Sequence, residues 1–283
     1  MQEKYRFLWV RHAESEGNVD PRMYLKKGDS NVSLTDLGWM QAFGTSNFLT
    51  QYYQDTNTTA WPTIFLSSYR RPQDTFSAIF HGANDNGLKS IFRGKPKLNE
   101  EYRLSEKFFG AASALAHPEE LFNVGDWTSE EKKNFLDNVN AIKRLSNATY
   151  KNDPFVAPHI LGEATLATCD RVKGFSDGTL HRDVLEGKND FLIVSHGAIV
   201  QAEVMNWFHI PMRAKRELGT PGNGDVIAIE GGDKNWTAIK IYDGEAMKPC
   251  NINLIENINY LTVDTLPEIP NHILSQASTW KFE

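Results

Sequence analysis

A run of apolar residues that ends in an Arg-His pair constrains the fold of this chain more than any other feature. Phe7–Val10 is apolar throughout and favours β structure, which predicts a short buried strand. The strand would deliver Arg11 and His12 to its carboxyl end, with Glu14 and Asn18 close behind. Ligands of open α/β sheets bind beyond the ends of the strands. A cation and an imidazole there predict an anion site that also holds a nucleophile or a base.

A second segment repeats this arrangement far along the chain. Phe191–Val194 is again an apolar run, His196 follows it, and Gly197 opens a predicted helix. A lone Arg-His pair after a strand is more often an exposed turn than a functional site, so the repeat matters. Two histidines that follow two strands can converge at one edge of a sheet.

The chain is long for one domain, but its length is within the range of large α/β domains that include insertions. The chain has 283 residues, of which 40% are hydrophobic and 23% charged, and this is enough apolar material for a packed core. The net charge is −6, so no basic surplus indicates a nucleic acid or an anionic membrane as a partner. Any attraction for an anionic substrate must therefore be local.

The chain shows no signal of export and no spacing typical of a metal site. Its cysteines, Cys169 and Cys250, allow one disulfide at most, and neither belongs to a C-x-x-C pair. Residues 1–6 lack the apolar core of a signal peptide, and no apolar run reaches the roughly 20 residues that span a bilayer. We expect a soluble cytoplasmic protein, with export by a route that needs no cleaved signal as the open alternative.

A polar loop and then a helix are predicted after the first strand. Residues 19–33 carry Arg22, Lys26 and Lys27, and we favour a solvated loop over a mobile rim that holds an anionic substrate, because loops are polar by default. Thr35 suits the N-cap of the helix that follows. The apolar residues at helical spacing, which define its predicted buried face, are Leu37, Met40, Phe43 or Gly44, and Phe48.

The second predicted strand, Thr63–Leu66, leads into a pair of arginines. Pro72 suits the first turn of a helix, so Arg71 lies where a strand gives way to a helix. Unpaired backbone N–H groups and the helix dipole favour an anion at such a junction. Although adjacent arginines are most often a surface pair, this position makes one of them a candidate phosphate ligand.

The remaining segments predict a peripheral insertion, a hairpin and a tail. Residues 111–158 contain a predicted helix from Ser129 to Leu145, and we interpret them as a helical insertion. The insertion is either a lid over the site or a segment whose apolar residues only pack in a core. Asp225 to Glu230 and Trp236 to Ile241 are expected to pair as a hairpin. Residues 244–283 are expected to wrap around the domain surface and not to form a second domain.

Several of these segments, taken in order, resemble the motifs of the histidine phosphatase superfamily in its phosphoglycerate mutase-like branch 1. Residues 11–14, Arg-His-Ala-Glu, resemble the R-H-G-E motif, with Ala13 where the family has glycine. Asn18 falls where many members have an asparagine that contacts phosphate. Residues 67–75 resemble the segment with the second phosphate-binding arginine. The family's arginine precedes a small residue there, which selects the second of the two arginines, Arg71.

The acid/base carboxylate of the family lies in a segment that residues 103–110 resemble. The match selects Glu106, with Glu100 and Glu101 as weaker alternatives. Glu106 also stands out by itself because aromatic residues and a glycine follow it, and an aromatic setting raises the pKa of a carboxyl group and suits it to general-acid catalysis.

Two later segments complete the resemblance. Gly162-Glu163-Ala164 is similar to the G-E-S start of a family helix, and Ser195-His196-Gly197 to the motif with the second catalytic histidine. The resemblance therefore covers roughly residues 7–230. It implies an α/β fold, a three-layer α/β/α sandwich with a central, mostly parallel sheet and a helical insertion over the site, with residues 1–283 as a single domain.

The resemblance also implies a reaction. His12 would attack phosphorus and form a phosphohistidine, and Glu106 would protonate the leaving oxygen and then assist the attacking water. The arginines would neutralise the phosphate charge, so neither a metal nor a cofactor is expected. The groups expected to surround the phosphoryl oxygens are Arg11, Asn18, Arg71 and His196.

Departures from the family pattern keep several functions open. Ala13 adds a methyl group where the backbone approaches phosphate, and the insertion at 111–158 is unlike a compact mutase. We expect a phosphomonoesterase for a small phosphorylated metabolite. The alternatives are a phosphoglycerate or sugar-phosphate mutase, a phosphoprotein phosphatase and a non-catalytic phosphate-binding regulator. The sequence identifies neither the substrate nor the oligomeric state.

Overall fold

A computed structural model describes residues 4–109, 117, 122, 126–149, 162–232, 235–260 and 262. The strands, in chain order, are β1 (Tyr5–Arg11), β2 (Thr63–Leu66), β3 (Leu98–Glu100), β4 (Asp190–Ser195), β5 (Val226–Gly232), β6 (Asn235–Asp243) and β7 (Lys248–Asn253). The α-helices are α1 (Glu16–Val19), α2 (Met23–Lys27), α3 (Asp36–Asp55), α4 (Arg70–His81), α5 (Ser129–Thr149), α6 (Thr165–Phe175), α7 (His181–Leu185), α8 (Gly197–Trp207) and α9 (Lys215–Leu218).

In this part of the chain the strands form one seven-stranded sheet in the order β3-β2-β4-β1-β5-β6-β7. The four strands from β3 to β1 are parallel, and β5, β6 and β7 extend the sheet in antiparallel fashion. This arrangement confirms the predicted α/β fold with a mostly parallel core, and β5 and β6 form the predicted hairpin. The tail prediction is wrong for Lys248–Asn253, which is an edge strand. Its side chains are mostly exposed, so no apolar run marks it in the sequence.

The central strands are apolar throughout because both of their faces are covered. Phe7 and Trp9 of β1 pack with α6 and α8 on one side of the sheet. Leu8 and Val10 point to the other side, where they pack with α3 and α4. Alternating side chains of one strand therefore enter two cores, which is the packing of a three-layer sandwich.

The predicted buried face of α3 is wrong at Leu37 and Met40, whereas Phe43 and Phe48 are half-buried and pack against the core, and the predicted start of the helix is right. Thr35 caps the helix by accepting a hydrogen bond from the Gly38 amide at 3.0 Å. Leu37 and Met40, however, are 49% and 58% exposed. The buried face consists largely of small and polar residues: Gly38, Gln41, Ala42, Thr45, Ser46, Leu49 and Tyr53. Small side chains allow the close approach of α3 to its neighbours, and apolar periodicity does not detect them.

The first turn of α3 packs directly on the loop that follows His12. A Cβ atom at Gly38 would lie 1.9 Å from the carbonyl oxygen of Glu14, which is backbone and cannot rotate away. We expect Gly38→Ala to lower the free energy of unfolding by about 2 kcal/mol or more, because one element must shift. Gly174→Ala is the matched control: no atom lies within 4 Å of its Cβ position, and it should stabilise the helix slightly. Urea unfolding of both variants measures the difference, and equal midpoints would contradict it.

Nearly half of the predicted insertion at 111–158 lies outside the described residues. Its helix is confirmed and extends to Thr149. Thr128 and Glu131 cap the helix, since the Glu131 amide donates to Thr128 Oγ1 and the Thr128 amide to Glu131 Oε2. A lid role for this insertion stays a prediction. Among the described helices, none combines the length and apolarity needed to cross a bilayer.

Candidate active site

Two neighbouring parallel strands bring the two predicted catalytic histidines together. β1 and β4 pair so that Arg11 lies opposite Ser195, at the carboxyl end of each strand. The backbone amide of His12 then donates to the Ser195 carbonyl at 2.8 Å. As a result the rings of His12 and His196 lie 5.1 Å apart, centre to centre, although 184 residues separate them. Both side chains are buried.

Hydrogen bonds fix the tautomer of His12. Its Nδ1 atom lies 2.7 Å from the carbonyl oxygen of Ala13, which can only accept, so Nδ1 carries the proton. Nε2 therefore has the lone pair, and it accepts a hydrogen bond from Arg71 Nε at 3.2 Å. Burial, followed by the charges of Arg71 and Arg11, holds the pKa of His12 well below its usual value. A neutral imidazole with its lone pair at Nε2 is the form that attacks an electrophile.

Arg71 lies at the floor of the site, whereas its neighbour Arg70 points outward. The side chain of Arg71 is 2% exposed, and its Nη1 atom donates to the backbone and the carboxylate of Asp29 at 2.7 and 2.8 Å. The rings of Tyr24 and Tyr69 flank the guanidinium at 5.8 and 5.1 Å. Arg70 is 61% exposed and pairs with an aspartate of its own helix. Of the two adjacent arginines, the structure thus places the one selected from sequence next to His12.

The segment at 19–33 contributes to the site, but not through its basic residues. Lys27 is paired with Glu16 and Arg22 with Asp20, both near the surface. The prediction of a loop is wrong for Met23–Lys27, which is the helix α2. Asp29 and Tyr24 of the same segment instead contact Arg71. This role could not be predicted, because a single acidic residue in a polar segment carries no distinctive signal.

Arg11 and His196 present buried nitrogen atoms that have no partner among the described residues. Arg11 Nη1 donates to the carbonyl of Pro221 at 2.6 Å, but Arg11 Nε has none. His196 Nε2 lies 2.9 Å from Ser67 Oγ, and Nδ1 has no partner within hydrogen-bond distance. A buried polar atom without a partner is costly, and an oxyanion between these groups would satisfy both. The sequence analysis missed Ser67, which orients the His196 ring.

The carboxylate of Glu106 reaches the histidine pair. Its Oε2 atom lies 3.7 Å from His196 Nδ1, and burial raises the pKa of the group. The alternatives lie elsewhere: Glu101 forms an ion pair with Arg103, and Glu100 is exposed on β3. Burial is the largest cause of the raised pKa. The two phenylalanines that follow, Phe108 and Phe109, are about half exposed.

Asn18 lies at the mouth of the site with its amide oriented by three donors. The Ser15 amide and hydroxyl donate to its Oδ1 atom at 2.9 Å, and Asn223 Nδ2 donates at 3.2 Å. With Oδ1 engaged, the Nδ2 group is the one that can donate to a ligand. Asn223 also donates to the carbonyl of His12 at 3.2 Å. The sequence analysis interpreted the segment around Asn223 only as a turn and missed this link.

The methyl group of Ala13 lies in the core. Ala13 is fully buried and packs with Leu34, Ala42 and Ala78 between α3 and α4. Its backbone amide donates to Thr75 Oγ1 at 3.1 Å. The core therefore accommodates the methyl group that alanine adds at this motif position.

Arg171 on α6 holds the loop that carries Glu106. Its Nη1 atom donates to the carbonyls of Arg103 and Ser105 at 2.5 and 3.0 Å. Its Nε and Nη2 atoms form a bidentate ion pair with the carboxylate of Glu163. The backbone amide of Glu163 donates to the Phe108 carbonyl at 2.6 Å. Glu163 belongs to the motif Gly162-Glu163-Ala164, which the sequence predicts to start a helix. Arg171 and Glu163 together therefore hold the Glu106 loop in place.

Removal of the Arg171 guanidinium should slow proton transfer more than it weakens the binding of the substrate. We expect Arg171→Met to lower kcat by about 10- to 100-fold with a smaller change in KM, because a displaced acid no longer reaches the leaving oxygen. The loss should be larger for alkyl than for aryl phosphates, which need less protonation. Arg182→Met, which removes a 63% exposed arginine, is the control. A loss that is the same for both leaving groups would indicate only a structural role.

Three side chains of the site have the composition of a metal-binding cluster. The ligand atoms of His12, Glu106 and His196 all lie within 4.8 Å of one another. The sequence analysis found no metal spacing because the three residues come from separate parts of the chain. The guanidinium of Arg71 donates to the lone pair of His12, and this positive charge opposes a cation at the same place. Metal independence therefore stays a prediction, which chelation can test.

Comparisons with known proteins agree with this geometry. The family model of the histidine phosphatase superfamily (branch 1) matches residues 7–244. The phosphoglycerate mutase-like protein AT74 of Arabidopsis thaliana is 27% identical over 250 residues, which cover 85% of this chain and 69% of that protein.

Solved structures share the fold at lower identity. The alpha-ribazole phosphatase of Shigella flexneri is 20% identical, with a TM-score of 0.56 over 82% of this chain and 94% of that one. The phosphoglycerate mutase of Bacillus anthracis is 18% identical, with a TM-score of 0.54 over 87% and 96%. Because the family model covers most of the chain, from the first strand to the end of the β5–β6 hairpin, this protein belongs to branch 1 of the histidine phosphatase superfamily.

Proposed function

We propose that this protein is a metal-independent phosphomonoesterase that acts on a small phosphorylated metabolite through a phosphohistidine at His12. The observation that carries the proposal is the state of His12: a neutral, buried ring whose Nδ1 proton is held by a carbonyl and whose Nε2 lone pair faces the arginine and histidine donors. A nucleophile of this kind beside a group of cationic donors fits phosphoryl transfer.

The reaction has two steps with one phosphoryl intermediate. His12 Nε2 forms a bond to phosphorus while the bond to the leaving oxygen breaks, and Glu106 gives its proton to that oxygen. Water then attacks the phosphohistidine, Glu106 takes a proton from the water, and His12 is released with inorganic phosphate. Arg11, Arg71 and His196 stabilise the phosphoryl oxygens in both steps, and Asn18 adds a neutral donor.

A small substrate is supported by the names of structurally similar proteins. They include an alpha-ribazole phosphatase and a mycobacterial glucosyl-3-phosphoglycerate phosphatase. The second candidate, transfer of phosphate between two positions of a sugar phosphate or phosphoglycerate, is supported by the curated relatives called phosphoglycerate mutase-like. A phosphatase releases phosphate to water, whereas a mutase returns it to an organic acceptor.

Isotope labelling tests the mechanism directly. The protein is mixed with a ³²P-labelled aryl phosphate in the presence of a metal chelator. The reaction is quenched within the first turnover, and the protein is then digested into peptides. We expect an alkali-stable, acid-labile label on the peptide that contains His12, followed by release of inorganic phosphate. Label at another residue, or activity that disappears with chelation and returns with a divalent metal, would refute the proposal. Transfer of the label to 3-phosphoglycerate without net release would favour the mutase.

A further inference from the structure

A cavity lies on the α6–α8 side of the sheet, away from the histidine pair. It has a volume of about 510 Å³, which is typical of small-molecule sites. Phe7 lines it near the start of β1, whereas His12 follows the end of that strand. Five residues of extended chain separate Phe7 from His12, a distance of about 17 Å. We name it the aromatic cavity; the residues that define it are Tyr5, Phe7, Leu180, Glu203, Trp207 and Trp236.

The walls of the aromatic cavity are flat rings held in fixed positions. Trp207 and Trp236 pack edge to face with ring centres 4.8 Å apart, and Phe7 lies 5.1 Å from Trp207. Tyr5 stacks on Trp236 at 6.3 Å. Indole faces are the best aromatic partners for a cation and also pack well against flat apolar groups.

One buried carboxylate lies among these apolar walls. Glu203 on α8 is 1% exposed. Its Oε2 atom accepts a hydrogen bond from Ser176 Oγ at 2.7 Å, but Oε1 has no partner among the described residues. Burial raises the pKa of Glu203 to about 7. A buried carboxyl oxygen without a donor is costly, and the catalytic site does not use this group.

The other side chains of the lining that can carry a charge near neutral pH are Lys173, Asp177 and His181, and the charges of Lys173 and Asp177 act on the pKa of Glu203 in opposite directions. Lys173 and Asp177 form an ion pair with each other on the same helical segment. Asp177 belongs to a π-helical turn, Ser176–Leu180, and Ser176 and Leu180 of this turn also line the cavity. Single π turns inside helices occur often at functional sites. Glu203 is thus the buried carboxyl group of the lining, and its Oε1 atom has no hydrogen-bond partner among the described residues.

We infer that the aromatic cavity binds a small organic cation: an ammonium group that donates to Glu203 Oε1, joined to a flat apolar body that lies against Trp207 and Trp236. The ammonium supplies the missing hydrogen bond and the opposite charge, and the rings accept the rest of the molecule. This inference does not depend on the reaction proposed for His12.

Calorimetric titration with 2-phenylethylammonium tests this assignment, with 2-phenylethanol as the neutral probe of similar shape. At about pH 8 the carboxylate of Glu203 is mostly ionised and the ammonium keeps its proton. We expect the cation to bind at least about tenfold more tightly than the alcohol, and Glu203→Gln to remove that difference. Asp177→Asn removes an exposed charge of the same lining and should change the affinity less than about twofold.

Two further variants locate the bound probes within the protein. Val184→Phe places a ring in the cavity while it keeps Glu203, and it should block binding of both probes. His12→Ala should leave the affinity unchanged, because the probe does not occupy the phosphate site. Thermal unfolding checks that each variant is folded. The inference is overturned if the cation fails to bind, if cation and alcohol bind equally, if Glu203→Gln binds like the wild type, or if His12→Ala abolishes binding.

Discussion

Replacement of His12 by alanine should reduce phosphate release from an aryl phosphate by more than about 10⁴-fold, because no other group of the site can take over the attack. His196 lies 5.1 Å away, centre to centre, but it presents Nδ1 and not a lone pair oriented by a carbonyl. The arginine donors would remain and would still bind phosphate. We therefore expect the loss in kcat, with phosphate affinity kept within about tenfold.

The measurement compares wild type and His12→Ala in single-turnover release with a metal chelator present. His81→Ala, which removes an exposed histidine at the end of α4, is the matched control and should retain full activity. Because His12 is buried, circular dichroism and thermal unfolding must show that the variant is folded. Release by a folded His12→Ala protein at the wild-type rate would rule out the phosphohistidine mechanism.

Local patterns in the sequence predicted the parts of the fold and site that depend on local chemistry. The apolar runs of β1 and β4 correctly predict two buried strands, and a histidine follows closely after each run. Thr35 and Pro72 mark helix starts through capping and a fixed backbone angle. Once these strands are parallel neighbours, His12 and His196 must meet.

Contacts between distant segments could not be predicted in this way. Arg171 stabilises a loop 65 to 68 residues earlier, and Asn223 reaches back more than 200 residues to His12. Such residues look like ordinary polar residues of a helix or a turn. The prediction of the buried face of α3 fails for a related reason. Ser46 is buried and donates to the Ile79 carbonyl of α4, and the apolar periodicity of α3 gives no sign of this contact.

The second large effect concerns Glu106, whose replacement by glutamine should lower kcat by about 10²- to 10⁴-fold for alkyl phosphates. Glutamine keeps the shape of the side chain and can still accept a hydrogen bond from the Lys107 amide, but its amide protons are not acidic enough to be transferred to the leaving oxygen. An aryl phosphate with a good leaving group needs little protonation, so its cleavage should fall much less. Glu100→Gln removes an exposed carboxylate nearby and should leave both rates unchanged.

The pH dependence of kcat/KM gives a second, independent readout of Glu106. Attack requires neutral His12, and its lowered pKa keeps the ring neutral into acidic solution. Proton donation requires protonated Glu106, and its raised pKa keeps the proton to higher pH than usual. Activity should therefore be high between the two pKa values and fall as the pH rises through that of Glu106. In Glu106→Gln this decline should disappear; a decline of the same size in the variant would assign it to another group.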